Sequence, residues 1–363
     1  MADPIQQASR HAVYTTRFAG YLANLFDPYT AKLKRELRLI LIDGPDTTQS
    51  MRRINQIIRE FRSVSLAIYG DYNDKDILAE LEAFAASEGD FAITSLESIV
   101  KPSTELSPPA PSQLWAAATT KPLKVPGQGG VNILGSYIKD MEAIQIAKIS
   151  EQIRFGFITG RTSQQIARDI AGNDGYLDKQ NKRAIKSMVR TSTNHVSNIA
   201  RQSTYDENDD IVKGYEIVAT LDSRTSDTCK GYDGLIVLNT AKDKPMPPFH
   251  PNCRTTTAPF LDPKFTLDDD AGTRASAGVT GGKQVSADLS YYEWLRVQGG
   301  QGPKGRAFVA DVLGKERADL FLNGGLSISK FKQLTMDELF RPLPLSELKK
   351  KTSLQIAFDK IDG

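Results

Sequence analysis

The run Lys213-Gly-Tyr215-Glu-Ile217-Val-Ala219-Thr-Leu221-Asp222-Ser-Arg224-Thr225 decides the fold class. Tyr215, Ile217, Ala219 and Leu221 alternate at period two, the spacing of a strand with one buried face. The chain before it is helical in period, so this run separates an α+β protein from an all-α one. Leu235, Ile236 and Val237 suggest a second short strand, and the proline-rich segment 242–259 reads as irregular.

Upstream, a long helix is expected from about Asp178 to Glu207. Thr162 or Ser163 can cap a shorter one that carries Ile166, Ala167 and Ile170 and ends at Gly172. Ile144, Ala147, Ile149, Ile153 and Phe157 are read as an apolar stripe before it. At the N-terminal end, helical spacing recurs in Leu33, Leu37, Ile40 and Leu41, in Ile54, Ile57, Ile58 and Phe61, and in Ile77, Leu78, Leu81 and Phe84. Asp43-Gly44-Pro45-Asp46 reads as a stop, with Asp46, Thr47 or Thr48 as the next cap. These boundaries give a helical arm or docking domain over 1–100 and a helix-rich module with a small β-sheet over 132–265. Six of the 18 prolines fall between Pro102 and Pro126, followed by Gly127, Gly129 and Gly130. A packed core is difficult there, so 101–131 is expected to be an extended linker or a strap. Residues 266–289, rich in Gly, Ser, Ala and Asp, read as a flexible linker, and 290–363 as a helical extension around Tyr291, Tyr292, Trp294 and Leu295.

The chain has 363 residues, enough for two or three domains. It carries 46 basic and 44 acidic residues, a formal net charge of +2. Any nucleic-acid contact must therefore come from a local patch. Two cysteines exclude a disulfide scaffold. The first residues lack the apolar core of a secretory signal, and no run reaches ~18 apolar residues, so no membrane span is expected.

Both cysteines and one of the three histidines lie between Cys229 and Cys253. His250 and Cys253 are spaced to reach one metal, and Cys229 can close onto them. Structural zinc suits such a set, with Asp222, Asp227 or Asp233 as a fourth ligand. The alternatives are two buried thiols with His250 bonded to a carbonyl, a Cys229–Cys253 disulfide, or a Cys–His nucleophilic pair.

The frame around these residues resembles a family. Asp222-x-Arg224-Thr225-x-x-x-Cys229, Asp233-Gly234 and Pro248-x-His250-Pro251-x-Cys253-Arg254 are similar to the signature of the phage Mu F-like minor head proteins, also called phage head morphogenesis proteins. Arg190-Thr191, Asn194, Asn198, Arg201 and Tyr205 resemble the preceding helix of that family. Tyr292-x-Trp294-Leu295 and Val312-Leu313-Gly314 through Gly324-Gly325-Leu326 resemble its C-terminal continuation, so the likeness spans roughly 150–335. Ser226 and Thr255 stand where many members have cysteines, and Ser192 where an acidic residue is usual. The resemblance implies a virion protein made in the host cytoplasm. It implies a place in the phage head near the portal, and partners among portal and other capsid components. Its implied role is in head assembly and in the organisation or delivery of packaged DNA. Asp222, Arg224 and His250 are read as structural braces, and no reaction is expected.

No acidic residue falls between Asp178 and Asp206, and Lys179, Lys182, Arg183, Lys186 and Arg190 share one helical face. This row could track DNA phosphates non-specifically, dock on an acidic portal surface, or be a solvated face. No HExxH, GxxxxGK[ST] or GxSxG is present. The rival from another class is a nuclease or transferase using His250, Arg224 and Asp222.

Overall fold

The computed structural model describes residues 3–42, 50–123, 125, 132–267, 272–350 and 354. The chain opens with α1 (Pro4–Asn24), α2 (Asp27–Ile42), α3 (Met51–Tyr72) and α4 (Leu78–Glu97). It continues through α5 (Pro111–Thr120), α6 (Leu134–Ile158), α7 (Ser163–Ala171) and α8 (Lys182–Asp206). A π-helical turn, Asn73–Ile77, leads into α4, and another, Leu177–Asn181, leads into α8. The α+β class holds: a helix-rich first half precedes two small sheets.

The helical stripes predict the core well. Leu33, Leu37 and Leu41 are fully buried, as are Ile57, Phe61 and Leu81. Thr162 caps α7 through a reciprocal pair with Gln165, and Gly172 ends it. The stripe proposed for α6 is right at Ile149 and Ile153 and out of phase before them. Ile144 and Ala147 are exposed, and the buried face runs through Ile138, Met141, Gln145, Ile149 and Ile153. That face keeps the three-to-four-residue step of one helix side, which the proposed set did not. The stop and cap at 43–48 lie outside the described residues.

Two segments fold where linkers were expected. Within 101–131, Pro111–Thr120 forms α5, which packs on α4 and α8 and buries Leu114 and Ala118. Pro111 sits in the first turn, where a missing N–H costs nothing. Gly89 on α4 makes room: a Cβ there would meet Leu114 Cδ1 at 2.4 Å. Residues 124 and 126–131, including Gly127, Gly129 and Gly130, lie outside the described residues. Helices α1 to α8 share one apolar core, with α1 and α4 packed directly on α8. The N-terminal helices are therefore built into the module and do not form a separate arm.

After α8 come β1 (Val212–Val218), β2 (Leu221–Asp222), α9 (Asp227–Tyr232), β3 (Ile236–Leu238) and β4 (Thr256–Leu261). β1 is the centre of an antiparallel sheet of order β3-β1-β4. β4 begins inside the segment read as irregular. Its Pro259 is tolerated because β4 is an edge strand. The segment 266–289, expected to be flexible, contains β5 (Thr273–Gly278) and β6 (Gly281–Ser286). They form a hairpin, and β2 pairs parallel to β5. Residues 268–271 lie outside the described residues.

The chain then runs through α10 (Tyr291–Gly299), α11 (Gly302–Leu313), α12 (Lys315–Asn323), α13 (Ile328–Thr335) and the short α14 (Leu345–Leu348). Tyr292, Trp294, Leu295, Phe321 and Phe331 form a second core with Leu221. Among the described residues, no helix is long and apolar enough to cross a membrane.

Candidate functional site

The loops joining β2, α9 and β4 are held by two buried carboxylates. Asp222 accepts two parallel bonds from Arg254, at 2.6 and 2.7 Å. It also accepts from the Arg224 backbone N–H at 3.0 Å and the Thr225 hydroxyl at 3.1 Å. Burial works to raise its pKa, but the hydrogen bonds and charge of Arg254 outweigh this and hold it below the usual carboxylate range. A carboxylate so occupied is a brace and is not free to act as a base.

Asp233 is fully buried and accepts four bonds. Ala219 N–H donates at 2.6 Å, Tyr291 N–H at 2.7 Å, and the Arg274 guanidinium at 2.9 and 3.3 Å. Arg274 also donates to the Ala219 carbonyl. Gly234 follows at a φ of 77°, which a side chain would strain. The Tyr291 hydroxyl donates to the Asp222 carbonyl at 2.8 Å and ties the C-terminal helices to the same frame.

The expected braces are partly reassigned. Arg224 does not bridge the loop through its side chain, which is 82% exposed and 3.4 Å from Asp222. Arg254 takes that role, because its fork meets both carboxylate oxygens. Arg274 was not anticipated, since it lies in the segment read as a flexible linker. Its strand buries the polar side, Arg274 and Ser276, and exposes Ala275 and Ala277, the reverse of what apolar alternation would predict.

Cys229, His250 and Cys253 do converge. Cys229 Sγ lies 3.2 Å from His250 Nε2 and 3.6 Å from Cys253 Sγ, and all three ligand atoms fall within 4.8 Å of one another. The cysteines are unlinked, so the disulfide reading fails in this structure. His250 Nδ1 lies 2.8 Å from the Pro251 carbonyl oxygen. A proton on Nδ1 satisfies that oxygen and turns an unprotonated Nε2 toward the thiols. The Cys229 thiol is pushed up by its hydrogen bond to Cys253 and by burial. Burial also opposes ionisation of Cys253, but hydrogen bonds from Cys229 and His250 outweigh it and draw that thiol down. His250 is raised in turn, chiefly by Cys253.

These separations approach the edges of a tetrahedral zinc shell, about 3.5–3.8 Å for Zn–S and Zn–N bonds of ordinary length. None of the suggested fourth ligands joins the group. Asp222 is taken by Arg254, Asp233 by Arg274 and Asp227 by Lys230.

The His-Cys loop rests on α8. Asn252 N–H donates to Thr191 Oγ1 at 3.0 Å, and its side chain donates to Ser187 at 2.8 Å. Asn194 donates to the Thr255 carbonyl at 2.9 Å, and Arg201 bonds Thr256 at 2.5 Å and faces the buried Glu88 at 3.3 Å. The polar residues of α8 thus seat β4 and the loop before it. Pro248 follows Pro247 through a cis bond, and Pro251 lies between the two ligand candidates His250 and Cys253.

The basic row is split. Lys179 stands on the π-helical turn 3.5 Å from Asp174, and Lys182 lies 2.9 Å from Asp27. Arg183 and Lys186 are exposed on α8, while Arg190 reaches the mouth of a cavity beside the His250 loop. The i→i+5 turn takes Lys179 out of the helical register that the sequence spacing assumed, while Lys182, Arg183, Lys186 and Arg190 keep it on α8.

Residues 147–258 match the model of the family described as Phage Mu protein F like protein. The matched segment runs from α6 into β4 and contains the whole Asp222–Arg254 frame, so the resemblance read from the motifs is shown there. It ends before the C-terminal stretch that the motifs also suggested. No curated protein and no solved structure matches the chain.

Proposed function

We propose, from the premise that residues 147–258 are a phage Mu F-like domain, that the chain is a minor, portal-associated component of the phage head. In this reading it supports head assembly and the organisation or delivery of packaged DNA, and it acts as a structural part without turnover. The family match carries the proposal. The chemistry of the frame supports it: Asp222 and Asp233 are saturated by arginines and backbone donors, as braces are. Quantitative mass spectrometry of purified heads and virions tests it. The chain should be present at a low, fixed ratio to the major capsid protein. Its absence from both particles would remove the virion role.

We also infer that Cys229, His250 and Cys253 hold a structural zinc ion. The support is the donor set, two thiols and an imidazole nitrogen already grouped, with the His250 loop anchored to α8. Elemental analysis of protein prepared without chelator should give about one zinc per chain. Cys253→Ser should lower both zinc content and melting temperature. Zinc-free protein whose melting temperature ignores added zinc and chelator would refute the site.

A further inference from the structure

A cavity of about 550 Å³ opens between α1, α8, β5 and the His250 loop. Five arginines from five parts of the chain line it: Arg17, Arg190, Arg224, Arg254 and Arg274. Among the described residues, no aspartate or glutamate lines it.

Two of these guanidinium groups are already matched, Arg254 by Asp222 and Arg274 by Asp233. The other three are not. Among the described residues, the side chains of Arg17 and Arg190 make no hydrogen bond or ion pair. Arg224 has only a 3.4 Å approach to Asp222, whose two oxygens Arg254 holds. Three cations without a close counter-charge line one cavity, and an anion bound there would be attracted to all of them. Guanidinium forks suit phosphate oxygens in particular. The rest of the wall is largely apolar, with Ala12, Val13, Val218 and Ala275. Such a wall accepts the body of a ligand whose charged end meets the arginines. The volume lies in the usual range for small-molecule sites, about 300–1,000 Å³. It would take one nucleotide and not a length of duplex.

We propose that this cavity binds a phosphate monoester of nucleotide size. The inference does not depend on the place of the protein in the particle. The phosphate can come from a free nucleotide or from the 5′ end of a nucleic-acid strand, since both present the same dianionic group.

Calorimetric titration of the full chain with adenosine monophosphate tests the site. Saturable binding is expected, with adenosine at least tenfold weaker. The double variant Arg17→Ala/Arg190→Ala should weaken binding at least tenfold, and Arg190→Gln alone should weaken it measurably. Both side chains are exposed and bond to no other residue, so thermal melts of the variants should match the parent. Arg183→Ala/Lys186→Ala, on the same helix but outside the cavity, should stay within twofold. Equal affinity for adenosine and its monophosphate, no saturation, or equal losses in both double variants would overturn the proposal. Competition then identifies the source. Displacement by a 5′-phosphorylated oligonucleotide but not its 5′-hydroxyl form assigns the strand end. Displacement by neither assigns the free nucleotide. Equal displacement by both would mean backbone binding and would count against a monoester site.

Discussion

Asp222 and Asp233 answer the same problem at two points: backbone N–H groups at a turn need an acceptor, and a buried carboxylate supplies it. Each is met by an arginine fork and by backbone N–H groups, so the charge is compensated where it is buried. The two arginines near Asp222 should differ sharply on substitution. Arg254→Ala strips the partner from a buried carboxylate and should cost about 2–3 kcal/mol. Arg224→Ala removes an exposed side chain and should change stability by less than about 0.5 kcal/mol. Chemical denaturation of both variants checks this. Asp222 is held below its ordinary value in the folded state. Its contribution is therefore fully present above the unfolded value, about 3.9, and is lost as pH falls through the folded one. The Arg254→Ala penalty should accordingly shrink below about pH 4, and a penalty constant across that range would contradict the clamp. The acidic half of this frame and the His-Cys trio were legible, because motif spacing reports loop residues that need a particular chemistry. Which arginine closes on Asp222 was not legible, since spacing does not give the direction of a side chain.

At the scale of elements, the long stripes were readable and the short segments were not. α3 is an amphipathic helix whose buried residues Ile54, Ile57, Ile58 and Phe61 repeat at its own period. α5 was hidden by proline content, although Pro111 only starts the helix. Its place in the core rests on Leu114, seated over Gly89. Leu114→Ala should destabilise the protein by about 2–4 kcal/mol in urea unfolding. An unchanged midpoint would mean that the segment is not packed. The β5–β6 hairpin was hidden for another reason. Its strands carry Gly, Ser, Ala and Lys, with few of the branched and aromatic residues that mark strands. What holds it is pairing to β2 and the Arg274–Asp233 pair, both long-range in sequence.

Over the whole molecule, the helices before residue 100 and those after 132 cannot be separated without opening one core. Composition shifts suggested a boundary there because linkers and buried connections can share the same residues. A second core follows residue 290, and Tyr291 joins it to the braced loops through Asp222 and Asp233. The family segment is thus packed against chain from both sides of it in sequence. Exposed Arg183 and Lys186 on α8 and the arginine-lined cavity are two basic features of the described residues.

The most direct test of the proposed role is electron cryo-microscopy of the native phage head, with the portal vertex reconstructed without imposed capsid symmetry. The account predicts density beside the portal that fits the α1–α8 body with the braced β-sheets attached. A portal vertex resolved to side chains in which no density fits this chain would contradict it.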